Sequence, residues 1–178
     1  MGTGPFAVPA LRALHTGPHE VVQVVCRPSR GRRGEPPAPV RAAGEELGLP
    51  VWMPQSANLP ESVQQLQDHQ ADLLVVCDYG EILKPATLGT TRLGGVNLHG
   101  SLLPRYRGAA PVQWSVLNGD TETGNTVIAM TAGLDAGDVL GVVVGIAVDH
   151  ERQAGGAGVA GAHERIGARV VLVEQVFI

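Results

Sequence analysis

The stretch Asn97-Leu98-His99-Gly100-Ser101-Leu102-Leu103-Pro104-Arg105-Tyr106-Arg107-Gly108 closes an apolar run and turns into a loop bearing glycine and proline. Gly95 to Leu98 reads as a strand. Its alternation puts Asn97 and His99 on one face, because strand side chains repeat every two residues. The Asn97 amide can donate to a developing oxyanion, and His99 can hold or deliver a proton near neutral pH. Downstream, Gly133-Leu134-Asp135-Ala136-Gly137-Asp138 offers a carboxylate in a turn permissive enough to approach His99. An amide, an imidazole and a carboxylate around one carbonyl carbon equip a site for acyl transfer to an amine. That chemistry takes a proton from the attacking nitrogen, holds an oxyanion and protonates the leaving nitrogen. Taken singly, each element has a plainer reading. Asn-X-His can be a hydrogen-bonded turn, Arg105 and Arg107 a solvated loop, and Asp135 and Asp138 ordinary turn residues.

Outward from this stretch the chain alternates. Val21 to Cys26, Leu73 to Cys77, Thr126 to Met130 and Val139 to Val148 read as strands. Phe6 to His15, Val40 to Leu47 and Leu59 to His69 carry helical spacing. Such alternation predicts an α/β fold, a doubly wound and mainly parallel sheet with right-handed crossovers. Ligands bind beyond the carboxyl ends of strands in such sheets, which is where Asn97 and His99 fall. The glycine turn Gly2 to Ala7 has no strand before it, so the first strand of the sheet is expected to be missing. Gln153 to Gly161 reads as a weak helix or loop, since each glycine costs a helix about 0.8 to 1 kcal/mol relative to alanine. Glu164 to Val176 reads as the better helical segment.

The 178 residues suit one domain, and the formal charge of −4 gives the whole chain no electrostatic case for nucleic acid. Locally the balance differs: Arg27-Pro28-Ser29-Arg30-Gly31-Arg32-Arg33 holds four arginines in seven residues. Cys26 and Cys77 sit in apolar runs, the usual setting of reduced core thiols. No stretch approaches the roughly 18 to 20 apolar residues of a membrane helix, and no leader is read at the start. The expectation is a reduced, soluble, cytoplasmic protein. His15, His19, His69, His150 and His163 show no ligand spacing and are expected at the surface, with no metal site.

Asn97 to Trp114 (NLHGSLLPRYRGAAPVQW), Leu117 to Met130 (LNGDTETGNTVIAM) and Gly133 to Leu140 (GLDAGDVL) together resemble the catalytic domain of methionyl-tRNA formyltransferases. The similarity runs from Met1 to about Val148 and weakens toward Val176. It implies a Rossmann-like formyltransferase fold over residues 1–150, with 151–178 a weakly matching helical segment of the same domain. It also implies 10-formyltetrahydrofolate as co-substrate, the α-amine of initiator methionyl-tRNA as acceptor, no metal, and a monomer. Carried over by position, Asn97, His99 and Asp135 are the catalytic trio. Ser101, Leu102, Leu103 and Pro104 form the loop over the folate, and Tyr79, Gly80, Ile82 and Leu83 line the pteridine pocket. Arg27, Arg30, Arg32 and Arg33 resemble a tRNA-binding loop a few residues short. The family's opening strand and its C-terminal tRNA-binding β-barrel domain are expected to be absent. Two other readings stay open: an inactive remnant that at most binds folate, and a formyltransferase acting on an amino-sugar nucleotide. A dinucleotide fingerprint at Gly2 to Ala7 is a weak match without a preceding strand.

Overall fold

Each helix opens with a proline in its first turn. The computed structural model describes residues 5–28, 38–146 and 169–173. After a short 3-10 turn at Pro5–Ala7 come α1 (Val8–Thr16), α2 (Pro39–Glu46), α3 (Pro60–Asp68), α4 (Pro85–Leu88) and α5 (Pro111–Leu117). A proline there forfeits no hydrogen bond and presets φ for the helix, so these residues fix where each helix starts. The strands are β1 (Glu20–Val25), β2 (Val51–Trp52), β3 (Leu73–Val76), β4 (Gly95–His99), β5 (Glu122–Ala129), β6 (Val139–Ile146) and β7 (Arg169–Val173). They form one sheet in the order β2-β1-β7-β3-β4-β5-β6. From β2 to β4 neighbours are parallel, while β5 runs antiparallel to both β4 and β6.

Helices cover both faces of the parallel half, as alternation requires. Val24, Cys26 and Cys77 pack with Leu11 and Val40 from α1 and α2. Val25, Leu74 and Val76 point the other way, against Leu66 of α3 together with Tyr79 and Leu83. Both cysteines are buried free thiols. A Cβ on Gly44 of α2 would lie 2.9 Å from a Val51 methyl, so this glycine sets how closely α2 approaches the sheet.

The expected helix at Glu164 to Val176 is corrected: Arg169–Val173 is a strand. It lies between β1 and β3, with Val173 paired to Val25 on one side and Val76 on the other. Two physical reasons favour this outcome. Three of its five residues are valines, which suit a pleated backbone. The central slot of a parallel sheet also offers unpaired N–H and C=O groups on both sides, and burying those unmet is costly. The gap expected for a missing first strand is thus filled from the other end of the sequence. The Gln153 to Gly161 reading lies outside the described residues. Among the described residues, no helix is long and apolar enough to cross a membrane.

Candidate active site

β4 ends at the site. Its alternation buries Gly95, Asn97 and His99 on one face, with Val96 and Leu98 half-buried on the other. Asn97 pairs with Ile128 and His99 with Thr126 across the antiparallel ladder to β5. After β5 the chain turns back through 130–138, and this turn delivers Asp135 to the same place. The turn can sit there only because residue 137 is glycine: a Cβ would fall 1.7 Å from the Ala129 carbonyl oxygen.

Asn97, His99 and Asp135 meet, and all three are buried. Asn97 Nδ2 donates to Asp135 Oδ1 at 3.1 Å. Gly108 N donates to Asp135 Oδ2 at 2.9 Å, and His99 Nδ1 lies 3.5 Å from the same oxygen. On its other side His99 Nε2 sits 2.8 Å from the Tyr106 carbonyl. A carbonyl only accepts, so Nε2 carries the hydrogen in that contact. Both ring nitrogens thus face oxygen acceptors. Asn97 Oδ1 is buried with no hydrogen-bond partner among the described residues. A buried acceptor left so costs about 1 to 3 kcal/mol, and a bound N–H would relieve it.

Three non-glycine residues around the trio adopt left-handed backbone: Tyr106 at φ 54°, Ala110 at 53° and Asp135 at 44°. Asp tolerates this region, whereas Tyr and Ala do not readily. A cleft of about 360 Å³, including its open mouth, adjoins the trio. Asn97 and Asp135 form its polar edge. Ile82 and Leu83 form one wall, and β5 with the 131–137 turn forms the other.

The other residues singled out from sequence fall as follows. The Tyr79 ring does not reach the cleft. It is fully buried in the core, its hydroxyl without a partner among the described residues. Burial, reinforced by the nearby Glu81 carboxylate, pushes its phenol well above the usual tyrosine range. The expectation for Tyr79 rests on backbone groups of the 79–83 segment, and the burial of its ring does not bear on them. Gly80 contributes its carbonyl to Arg27 Nη1 at 2.6 Å. Ser101 points inward, its Oγ donating to the Arg105 carbonyl at 2.7 Å. Leu102 and Leu103 are half-buried and Pro104 exposed, beside the cleft-lining set rather than within it. Arg30, Arg32 and Arg33 lie outside the described residues. His15 is exposed, but His19 and His69 are half-buried, each with one ring nitrogen out of solvent.

Sequence reading missed Thr126. This fully buried side chain donates to the Ser101 carbonyl at 2.7 Å and accepts from Leu103 N at 3.1 Å. It pins the loop that carries Tyr106 to His99. The available signal was a polar residue at a core-facing strand position, directly opposite His99 in the ladder.

The sequence profile described as formyl transferase matches residues 1–158. The chain belongs to the formyl transferase family. It is 55% identical over 148 residues to a methionyl-tRNA formyltransferase of Rhodopirellula baltica, covering 79% of this chain and 44% of that protein. Against the methionyl-tRNA formyltransferase of a Methylobacterium species it is 47% identical over 158 residues, 87% of this chain and 51% of the relative. The chain therefore spans about half the length of these curated relatives. Among solved structures, phosphoribosylglycinamide formyltransferase of Bacillus halodurans superposes with a TM-score of 0.66 at 24% identity. That superposition covers 85% of this chain and 79% of the other, and it shows the shared formyl transferase fold.

Proposed function

We propose that this chain carries the catalytic part of a methionyl-tRNA formyltransferase, moving a formyl group from 10-formyltetrahydrofolate to the α-amine of methionyl initiator tRNA. The meeting of Asn97, His99 and Asp135 beside one cleft carries the reading. The identity to methionyl-tRNA formyltransferases supports the choice of acceptor.

In this reading the amine nitrogen attacks the formyl carbon. A new C–N bond forms, and the carbonyl oxygen becomes an oxyanion. Asn97 has one amide hydrogen committed to Asp135 and a second left to donate to that oxygen. His99 donates to it as well, its Nε2 hydrogen leaving the Tyr106 carbonyl for the oxyanion. Asn97 Oδ1 accepts from the incoming amine. The attacking nitrogen gives up one proton, the departing folate nitrogen gains one, and the old C–N bond breaks. Asp135, held by Asn97 and Gly108, is placed to receive and return that proton. The folate stands against Ile82 and Leu83, near the Ser101 to Pro104 loop. Arg30, Arg32 and Arg33 serve as the tRNA contact, with Arg27 turned instead to the Gly80 carbonyl.

The test is formyl transfer from 10-formyltetrahydrofolate to methionyl-tRNA, with Asn97→Ala expected to lose about 10²- to 10³-fold in kcat, as for other oxyanion donors. A chain that melts cooperatively and binds folate but transfers nothing would sink the enzyme reading. Transfer to an amino-sugar nucleotide without tRNA would replace the acceptor.

A further inference from the structure

The cleft wall at Ile82 and Leu83 belongs to the loop between β3 and α4, and the loop between β2 and α3 holds it from behind. Asn58 makes the central connection. Its Nδ2 donates to Glu81 Oε1 and to the Ile82 carbonyl, both at 2.9 Å. Its Oδ1 accepts from Lys84 N at 2.8 Å and from Thr87 Oγ1 at 2.7 Å. Two donor hydrogens and two lone pairs are all a carboxamide has, and every one is used. Glu81 strengthens the same junction, accepting from Ala57 N at 2.9 Å and from Ser56 Oγ. Arg27 Nη1 ties the Gly80 carbonyl at the near end.

Residues 80, 81, 82 and 84 are thus each anchored to a side chain or backbone outside the loop, on either side of Leu83. Leu83 is buried and Ile82 is more than half exposed, and both face the cleft that Asn97 and Asp135 edge. Asn58 is absent from the cleft lining. Whatever it does for a ligand it does through the wall.

We propose that Asn58 is a positioning residue for the formyl donor, fixing the Ile82–Leu83 wall so that the cleft is preformed for the folate ring. The inference rests on the donor reading given above. Asn58 sets donor affinity and leaves the reacting atoms alone, because a preorganised wall lowers the ordering cost of binding.

The experiment uses the full chain with Asn58→Ala, Asn58→Asp and Glu81→Gln, and tetrahydrofolate as the binding probe. Asn58→Ala should weaken tetrahydrofolate binding and raise KM for the formyl donor about tenfold, as losing one to two hydrogen bonds would, with kcat little changed. In the ligand-free chain it should speed amide exchange across residues 80–84 but not across β5 and β6. Asn58→Asp keeps the acceptors but sets a carboxylate against Glu81, so it should bind no better than Asn58→Ala. Glu81→Gln keeps an acceptor oxygen and should lie between these variants and the parent. Parent-like affinity in Asn58→Ala, or a loss confined to kcat or to melting temperature, would overturn the inference alone. Failure of the unmutated chain to bind tetrahydrofolate would overturn the donor reading, and the inference with it.

Discussion

Replacing Thr126 by valine keeps the shape of the side chain and removes its hydroxyl from a fully buried site. Two hydrogen bonds go, one to the Ser101 carbonyl at 2.7 Å and one from Leu103 N at 3.1 Å. Each is worth about 1 kcal/mol net, and stranding the Ser101 carbonyl adds a desolvation penalty, so the total is about 2 to 3 kcal/mol. Melting entropy is about 2.1 cal/mol/K per residue, which makes the loss about 5 to 8 °C in Tm for a chain of 178 residues. The hydroxyl also anchors the loop that brings the Tyr106 carbonyl to His99. A misplacement of about 1 Å there can cost about 10²-fold in rate. Circular-dichroism melts and formyl transfer to methionyl-tRNA read the two effects separately. Thr126→Ser, which restores the hydroxyl, should recover most of both. A Thr126→Val chain melting within about 1 °C of the parent, against the shift expected above, or transferring at the parental rate, would refute the anchoring argument.

Asp135→Asn separates charge from backbone, since Asn also tolerates the left-handed φ of 44°; the chain should still fold while transfer falls about 10²-fold or more. Gly137→Ala should cost about 3 kcal/mol in a denaturant titration, because its Cβ would meet the Ala129 carbonyl oxygen at 1.7 Å. Tyr79→Phe removes a buried hydroxyl without a partner, so stability should stay level or rise by about 1 kcal/mol with folate affinity unchanged. Tyr79 also sets an alkaline limit. Its folded phenol is harder to ionise than the unfolded one, so its contribution is intact below the ordinary value of 10.0 and declines as pH rises above it. Tyr79→Phe should flatten stability against pH over that range. Val171→Pro in β7 should destabilise by about 3 kcal/mol or more, since a central strand cannot lose a ladder N–H. Slow amide exchange in Val170 to Val173 of the parent would check the same placement.

What could be read from the chain follows from how local each signal is. The parallel half was legible because Val21 to Cys26 and Leu73 to Cys77 are short apolar runs bounded by turn residues, which suit strands buried on both faces. Asn97 and His99 were legible because two residues on one strand need no tertiary information to share a face. β7 was not. Arg169 to Val173 has apolar spacing that suits either period, and only the unfilled slot between β1 and β3 decides for a strand. The place of the Tyr79 ring was not legible either, since its burial depends on Leu66 of α3 packing from another segment. Thr126 and Asn58 escaped notice because each bonds to residues more than twenty positions away.

The site is also where the backbone is least comfortable. Tyr106 and Ala110 hold left-handed conformations that cost about 1 to 2 kcal/mol each, and both flank the residue whose N–H binds Asp135. Such strain persists only where surrounding contacts over-determine it. Here the contacts can be named: Thr126 holds Ser101 and Leu103, Ser101 holds the Arg105 carbonyl, and Gly108 N holds Asp135. The return is geometric. Tyr106 in this conformation aims its carbonyl at His99 Nε2 while the opposite ring nitrogen meets Asp135. One loop thereby orients the imidazole from one side and the carboxylate from the other. The trio is therefore set by the 101–108 loop as much as by β4, and a substitution that relaxes this loop should disturb the chemistry before it unfolds the sheet.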